Sequence, residues 1–99
     1  MTAEITPILL EDRSPSKGRY VYAVDGEEAE LTFTRVGKER IIIDHTGVPP
    51  AFRGRGVGEA LVAHAVAEAR REGLKIIPLC PFAAAQFRRH PEWSDLLAR

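Results

Sequence analysis

A glycine-rich segment in the middle of the chain has the composition of an anion-binding loop. It is Arg53-Gly54-Arg55-Gly56-Val57-Gly58, and glycine lets a backbone turn tightly and approach a ligand closely. An apolar helical period begins at Val57, and the first N–H groups of a helix are unpaired and favour an anion. A di- or triphosphate is therefore the expected ligand, with charge-assisted contacts from Arg53 and Arg55. A flexible surface turn is the alternative, because a short glycine-rich segment is weak evidence alone.

A cysteine and a histidine could do chemistry near this loop. Cys80 ends a short apolar run, and His45 lies near the end of an earlier strand. A thiol can accept an acyl group, and an imidazole can take up a proton near neutral pH. Structural roles are the alternatives: most free cysteines are small buried hydrophobes, and by strand alternation His45 shares a face with Ile41 and Ile43, as a core histidine would. Asp44 points to the opposite face, so no triad forms from these neighbours.

The positions of the remaining histidines and of the tyrosines predict structural roles for these residues. His64 and His90 are expected at the surface or at helix caps, and three scattered histidines lack the paired spacing of a metal site. Tyr20 and Tyr22 project to one face of an early strand and are expected to pack in the sheet. The one cysteine excludes an internal disulfide.

Length and charge limit the class of protein. The 99 residues predict one domain with a single core and a shallow, open site. The 14 basic and 14 acidic residues give zero formal charge, which argues against nucleic-acid binding. No apolar run approaches the roughly 18 residues of a membrane span. The start, Met1-Thr2-Ala3-Glu4, lacks the basic and apolar regions of a signal peptide, so we expect a cytoplasmic protein.

Hydrophobic periodicity predicts the elements that position these residues. A helix runs from Val57 to a stop at Gly73, and a shorter one covers 82–89. A tail over 93–97 is expected to pack on the sheet, and 13–18 forms a loop. Asp25-Gly26 is a hairpin signal. Strands are predicted at 5–10, 19–24, 29–36, 40–48 and 74–80, the first at a sheet edge and the last buried on both faces.

The order of these elements brings the chemistry-bearing residues to one edge. The early strands form an antiparallel meander, and 40–80 forms a βαβ unit whose two strands are parallel. Their carboxyl ends, at Val48 and Cys80, then lie at the same edge of the sheet. That edge is the usual ligand site of open α/β sheets.

This arrangement resembles the GNAT superfamily of acetyl-CoA-dependent N-acyltransferases. The family's pyrophosphate motif is Arg or Gln, two residues, Gly, one residue, then Gly or Ala, and Arg53, Gly56 and Gly58 match it in register. The resemblance is closest to the YjdJ-type branch, covers about residues 20–97, and rests on several segments. They are His45-Thr46-Gly47-Val48-Pro49, the Arg-Gly-x-Gly loop, Cys80-Pro81-Phe82 and Arg89-His90-Pro91-Glu92.

The resemblance implies a fold and a set of cofactor contacts. The fold is a minimal α/β (α+β) domain over residues 1–99, in which the meander, the βαβ unit and a C-terminal helix share a mixed central sheet. Thr46, Gly47 and Val48 lie beside the pantetheine arm, and the Val48 N–H polarises the thioester carbonyl. The backbone N–H groups of the loop bind the coenzyme A pyrophosphate. These are the N–H groups of Arg53, Gly54, Arg55, Gly56, Val57 and Gly58.

The second helix is expected to complete the cofactor site. Phe82 is a contact, and Phe87, Arg88 and Arg89 are candidates near the adenosine end. Family enzymes often use a Tyr of the last helix as general acid, and this helix has none, which is a departure from the pattern.

The leading interpretation is an N-acetyltransferase that passes an acetyl group from acetyl-CoA to an amine. Loop 13–18 is too short for the helices that shape an acceptor pocket, so an exposed amine of a protein suits the open site. Cys80 accepts the acetyl group in a two-step route, or transfer is direct, and His45 is the expected base. A non-catalytic coenzyme A-binding module is the alternative, and a pure interaction domain is a third.

Overall fold

The computed structural model describes residue 5 and residues 7–98. Its five-stranded sheet follows chain order: β1 (Leu9–Asp12), β2 (Lys17–Val24), β3 (Glu27–Val36), β4 (Arg40–Gly47) and β5 (Lys75–Pro78). The first four strands pair antiparallel and β5 pairs parallel to β4. The prediction of an antiparallel meander followed by a βαβ unit in a mixed sheet is confirmed.

Two helices follow β4 and β5. The 16-residue α1 (Val57–Glu72) begins after Gly56 and ends at Gly73, both with a φ of 73°. Left-handed backbone at the C-terminal cap is the conformation that glycine adopts most readily, so the predicted stop is confirmed. The second helix, α2 (Pro81–Arg89), begins with a proline at its first position, where the missing N–H costs nothing. Short 3₁₀ helices occupy Pro50–Phe52 and Pro91–Leu96.

The core lies between one face of the sheet and both helices. We call this the inner face; it carries alternate apolar side chains, including Leu31, Ile43 and Ile76, none of which is exposed. From α1, Leu61, Val62 and Ala65 pack against it, and Ala83 and Phe87 join from α2. The hydrophobic period of α1 therefore becomes a buried stripe that fixes the direction of its N-terminus.

Tyr20 and Tyr22 lie in this core, as the sequence predicts. Burial, with a smaller contribution from the carboxylates of Glu68 and Glu72, raises the pKa of Tyr20 to about 12. His64 is half-buried and its ring meets the Tyr20 ring edge-on, with 4.8 Å between centroids. His64 is therefore a packing residue, which is a correction to its expected surface or capping role.

The opposite, outer face of the sheet is polar. Arg19 lies at its centre and bonds Glu11, Glu28 and Glu30 at 2.7–3.4 Å. These carboxylates, led by the hydrogen bond to Glu30, raise the pKa of the Arg19 guanidinium against the opposing effect of burial. The outer face is thus held by charge pairs, while the inner face is held by apolar contact.

Three of the predicted strands differ from those observed by one or two end residues, and the predicted loop at 13–18 is shorter because β2 begins at Lys17. The other two strands differ more. The edge strand expected at 5–10 forms at Leu9–Asp12 instead; of its predicted residues, position 6 lies outside the described part of the chain. The strand at 74–80 is shorter and is not buried on both faces, since Lys75 is exposed and Ile76 alone of its residues is fully buried. The reason is topological: β5 is the last strand of the sheet and has a strand neighbour only in β4.

The C-terminal tail pairs with the edge of β5 through Leu97 and Ala98. Leu97 forms a parallel bridge with Ile76, and the Ala98 N–H donates to the Ile76 carbonyl at 2.9 Å. Leu96 is buried in the core, so the predicted packing of the tail on the sheet is confirmed. Neither α1 nor α2 has the length and apolar character that crossing a membrane requires.

Candidate functional site

A β-bulge near the end of β4 determines which side chains face the helices. Thr32 pairs with His45 but the next residue, Phe33, pairs with Ile43, so Asp44 is an extra residue in β4. Strict alternation therefore breaks at this point. Ile43 is fully buried, whereas Asp44 and His45 are both exposed.

The bulge moves His45 to the outer face, which corrects the interpretation that it shares a face with Ile41 and Ile43. A Cβ on Gly47 would lie 3.1 Å from His45 Nε2 and 3.9 Å from Glu30 Cγ. Glu30 belongs to the outer face through its bond to Arg19. His45 is thus a solvent-exposed imidazole near the carboxyl end of β4. The structure does not bring it together with Cys80.

Thr46 occupies the inner-face position that strand alternation had assigned to His45. The Cys80 thiol and the Thr46 hydroxyl are 3.6 Å apart, within the range of hydrogen bonds to sulfur. The β4–β5 ladder ends at the pair Ile43 and Pro78, after which the Cys80 N–H donates to the Ile43 carbonyl at 3.0 Å. Cys80 and Thr46 therefore face each other across the point where the two parallel strands stop pairing.

The Cys80 sulfur is buried, yet its pKa is lowered. Burial on its own raises the pKa of a thiol, but hydrogen bonds from the N–H of Ala83, the Thr46 hydroxyl and the N–H of Phe82 outweigh it, so the pKa of Cys80 lies below its ordinary value. The donors at Phe82 and Ala83 are the free N–H groups in the first turn of α2, where a helix favours negative charge. This sulfur can act as a nucleophile only if a substrate reaches it. Of the Cys80 surface, 6% is exposed.

We expect Thr46→Val to raise the pKa of Cys80, because the hydrogen bond from the Thr46 hydroxyl is one of the interactions that lower it. The thiolate absorbance of the chain's single cysteine, followed against pH, measures this directly. Thr32→Val is the matched control, since Thr32 makes its hydrogen bond to the His45 carbonyl. Superimposable titrations of the Thr46→Val and parent proteins would contradict the assigned contact.

The glycine loop presents a row of free N–H groups at the start of α1. Among the described residues, the N–H groups of Gly54, Gly56, Val57 and Gly58 donate to no acceptor. Those of Arg53 and Arg55 donate instead to the preceding 3₁₀ helix, at 3.0 Å to the Pro50 carbonyl and 3.2 Å to the Phe52 carbonyl. This corrects the expectation that all six N–H groups of the loop are available to a ligand.

The two loop arginines have different surroundings. Arg53 is exposed and lines an open pocket in front of the helix. The Arg55 guanidinium instead lies 5.4 Å from the centre of the Phe52 ring, a distance that gives a cation–π contact. Arg53 is therefore the arginine placed to meet an anion in the pocket.

The pocket has a volume of about 340 Å³ and an apolar wall opposite its polar loop. Val48 and Phe82 form this wall. Gly58 allows it, because a Cβ at that position would lie 2.8 Å from Phe82 Cζ and 3.4 Å from Val48 Cγ2. Gly54 and Gly56 have φ values of 76° and 73°, which explains the need for glycine in the turn itself.

The candidates for the adenosine end lie outside this pocket. Phe87 is buried and packs edge-on against Trp93, with 5.4 Å between ring centroids. It is a core residue, which corrects its proposed place near the cofactor. Arg88 and Arg89 are exposed in the last turn of α2. His90 is the C-terminal cap of that helix, which agrees with its predicted surface or capping role, and it also stacks on Trp93 and bonds Glu92 at 2.9 Å.

The sequence interpretation missed two lining residues of the pocket, Phe52 and the acidic Glu59. Glu59 is in the first turn of α1, and its Oε2 lies 3.5 Å from the place of a Cβ on Gly56. Glu59 is the third residue of α1, where a negative charge interacts favourably with the helix N-terminus.

Comparisons with known proteins agree with this arrangement. A family model described as GCN5-related N-acetyl-transferase matches residues 19–96. Protein NATD1 of Xenopus tropicalis is 34% identical over 65 residues, which are 66% of this chain and 60% of that protein, so the match spans less than two thirds of the relative. The solution structure of a GCN5-like candidate N-acetyltransferase from Staphylococcus aureus shares 31% identity at a TM-score of 0.66, over 92% of this chain and 88% of the other.

The mixed sheet, with a glycine loop leading from its parallel pair into α1, defines an acetyltransferase-type α/β fold shared with that solved structure. The chain belongs to the GCN5-related N-acetyltransferase family, whose members generally use acetyl-CoA.

Proposed function

We propose that this protein binds acetyl-CoA at the carboxyl edge of β4 and β5 and transfers the acetyl group to an amine. The observation that carries the proposal is the row of free N–H groups at Gly54, Gly56, Val57 and Gly58, which opens on the pocket. Free N–H groups at a helix start bind phosphate. Membership of an acetyltransferase family makes a coenzyme A pyrophosphate the ligand that best fits.

Each part of the cofactor has residues of suitable chemistry. The loop N–H groups and Arg53 would hold the pyrophosphate. Thr46, Gly47 and Val48 would lie along the pantetheine arm, where β4 continues beyond the last pair it makes with β5. Phe82 supplies an apolar wall of the pocket, and Arg89 is the proposed cation toward the adenosine end.

The bound cofactor supplies an activated acetyl thioester. Beside it, the Val48 N–H, which has no acceptor among the described residues, would donate to a developing oxyanion. Cys80 is the proposed acyl acceptor, because its thiol has a lowered pKa and faces Thr46 at the same edge. Its sulfur would form a new thioester with the acetyl group, while the bond from the acetyl group to the cofactor sulfur breaks and coenzyme A leaves with the proton of the thiol. The amine would then take the acetyl group from Cys80, whose thiol is restored. His45 would take the proton of an amine that arrives from the outer face, where its ring is exposed.

The acceptor is proposed to be an exposed amine, such as a lysine side chain or the N-terminus of another protein. The pocket is open, and the outer face beside His45 carries no described helix that would enclose a small metabolite. An exposed amine can reach such an edge without a pocket of its own.

Intact-mass measurement after incubation with acetyl-CoA tests these roles. We expect an acetyl adduct on the parent protein that Cys80→Ala abolishes, and transfer to lysine peptides that His45→Ala slows about 100-fold, a typical loss for a general base. Transfer without any adduct assigns a direct route and removes the nucleophilic role of Cys80. If acetyl-CoA does not bind at all, the proposed function is overturned.

A coenzyme A-binding module without catalysis is the second candidate. The observation that favours it is the placement of His45 and Cys80 on opposite faces of the sheet, which leaves the thiol without a neighbouring imidazole base. In that case coenzyme A raises the melting temperature, as any ligand of the folded state does, while no amine tested is acetylated.

A further inference from the structure

Glu59 places a carboxylate in the pocket beside the glycine loop that is proposed to bind a phosphate. Its Oε2 lies 3.5 Å from the place of a Cβ on Gly56, the residue that caps α1. Among the described residues that line the pocket, Glu59 is the acidic one. A negative charge therefore lies near the free N–H groups of the loop before any ligand arrives.

The charge of Glu59 is not neutralised by a side chain. Within residues 5 and 7–98, no ion pair or side-chain hydrogen bond joins it to a basic group, although Arg53 lines the same pocket. By contrast, Glu68 on the same helix is paired with Arg71. The favourable interaction that remains for Glu59 is with the helix N-terminus, which stabilises negative charge in its first turn.

A phosphate at the loop competes for this interaction. When the N–H groups bind a pyrophosphate, the carboxylate faces a second anion at short range, and their repulsion opposes binding. Glu59 is exposed, so its side chain has room to turn away, but it then loses its interaction with the helix start. Either way, part of the binding free energy is lost.

We propose that Glu59 lowers the affinity of the site for its phosphate-bearing ligand, by holding a negative charge beside the helix N-terminus of the free protein. This inference rests on the proposed binding of acetyl-CoA. The residue stabilises the free protein, weakens the complex and so favours release of coenzyme A after transfer. Removal of its charge therefore changes stability and affinity in opposite directions, which a purely structural residue would not do.

The test compares Glu59→Gln with the parent protein by calorimetric titration with acetyl-CoA. We expect binding about 3- to 10-fold tighter in Glu59→Gln at low ionic strength, with a smaller difference at high salt because exposed charges are screened. The urea midpoint of the free variant should fall slightly. Glu72→Gln is the matched control: it makes the same charge change at the other end of α1, outside the pocket, and should leave the affinity unchanged.

The outcomes separate this inference from the function on which it rests. If the parent protein binds neither acetyl-CoA nor inorganic pyrophosphate, the proposed function fails and the role of Glu59 fails with it. If the parent binds but Glu59→Gln binds no tighter, the inference alone is overturned. An equal gain in affinity for acetyl-CoA in Glu72→Gln also overturns the inference, because the effect would then come from the net charge of the protein rather than from a charge in the pocket.

Discussion

Gly56→Ala is expected to weaken acetyl-CoA binding about 10- to 100-fold, equivalent to the loss of one charge-assisted hydrogen bond or more. Gly56 caps α1 at a φ of 73° and carries one of the free N–H groups of the loop. A methyl group there projects next to the place that an anion must occupy. The left-handed backbone is also unfavourable for alanine, so the loop is drawn toward another conformation. Calorimetric titration measures the change.

Gly73→Ala separates loss of binding from loss of stability. Gly73 caps the other end of the same helix at the same φ of 73°, and nothing lies within 4 Å of its would-be Cβ. Both variants should therefore lose about 1–2 kcal/mol of unfolding free energy from the left-handed alanine, while Gly73→Ala keeps the parent affinity. Equal affinities in the two variants would remove the phosphate loop from the proposal.

Ile43→Ala is expected to lower the free energy of unfolding by about 3 kcal/mol, within the range measured for large-to-small core changes. Ile43 has no exposed surface and its carbonyl accepts the Cys80 N–H. Its side chain is the last inner-face residue before the bulge, so the cavity would lie beneath the proposed site. The total free energy of unfolding of a domain is only about 5–15 kcal/mol, so this loss is severe. Urea unfolding measures it.

Ile42→Ala is the control for this second prediction. Ile42 is the preceding residue, of the same type and in the same strand, but it is on the outer face and only half-buried. We expect it to lose about 1 kcal/mol, as typical substitutions of partly exposed residues do. Similar losses for both variants would show that the inner face of β4 has been assigned to the wrong residues.

Much of the fold follows from local signals in the chain. Asp25-Gly26 forms the predicted hairpin turn with positive φ at both residues, because few other residues tolerate that backbone. The apolar period from Val57 and the glycine at 73 define α1 for equally local reasons. The family motif at Arg53, Gly56 and Gly58 predicted the family membership that the comparisons show.

The placement of His45 shows where local signals fail. Period-2 alternation predicts an inner position, and it would be right for a regular strand. The extra residue at Asp44 arises from pairing with β3, since Thr32 and Phe33 skip one residue of β4. Nothing within β4 signals this skip, because a bulge is a property of two strands. Thr46 therefore replaces His45 as the residue that faces Cys80.

By itself, the amino-acid sequence determined the order of strands and helices, the glycine turns and the family motif, because each depends on neighbours within a few residues. Tertiary structure decided which of those residues meet. It placed His45 and Cys80 on opposite faces, committed the Arg53 and Arg55 N–H groups to the preceding 3₁₀ helix, buried Phe87 and set the Glu59 carboxylate near the helix N-terminus. The physical reason is that strand register, helix direction and side-chain packing depend on contacts between residues that are distant in the chain.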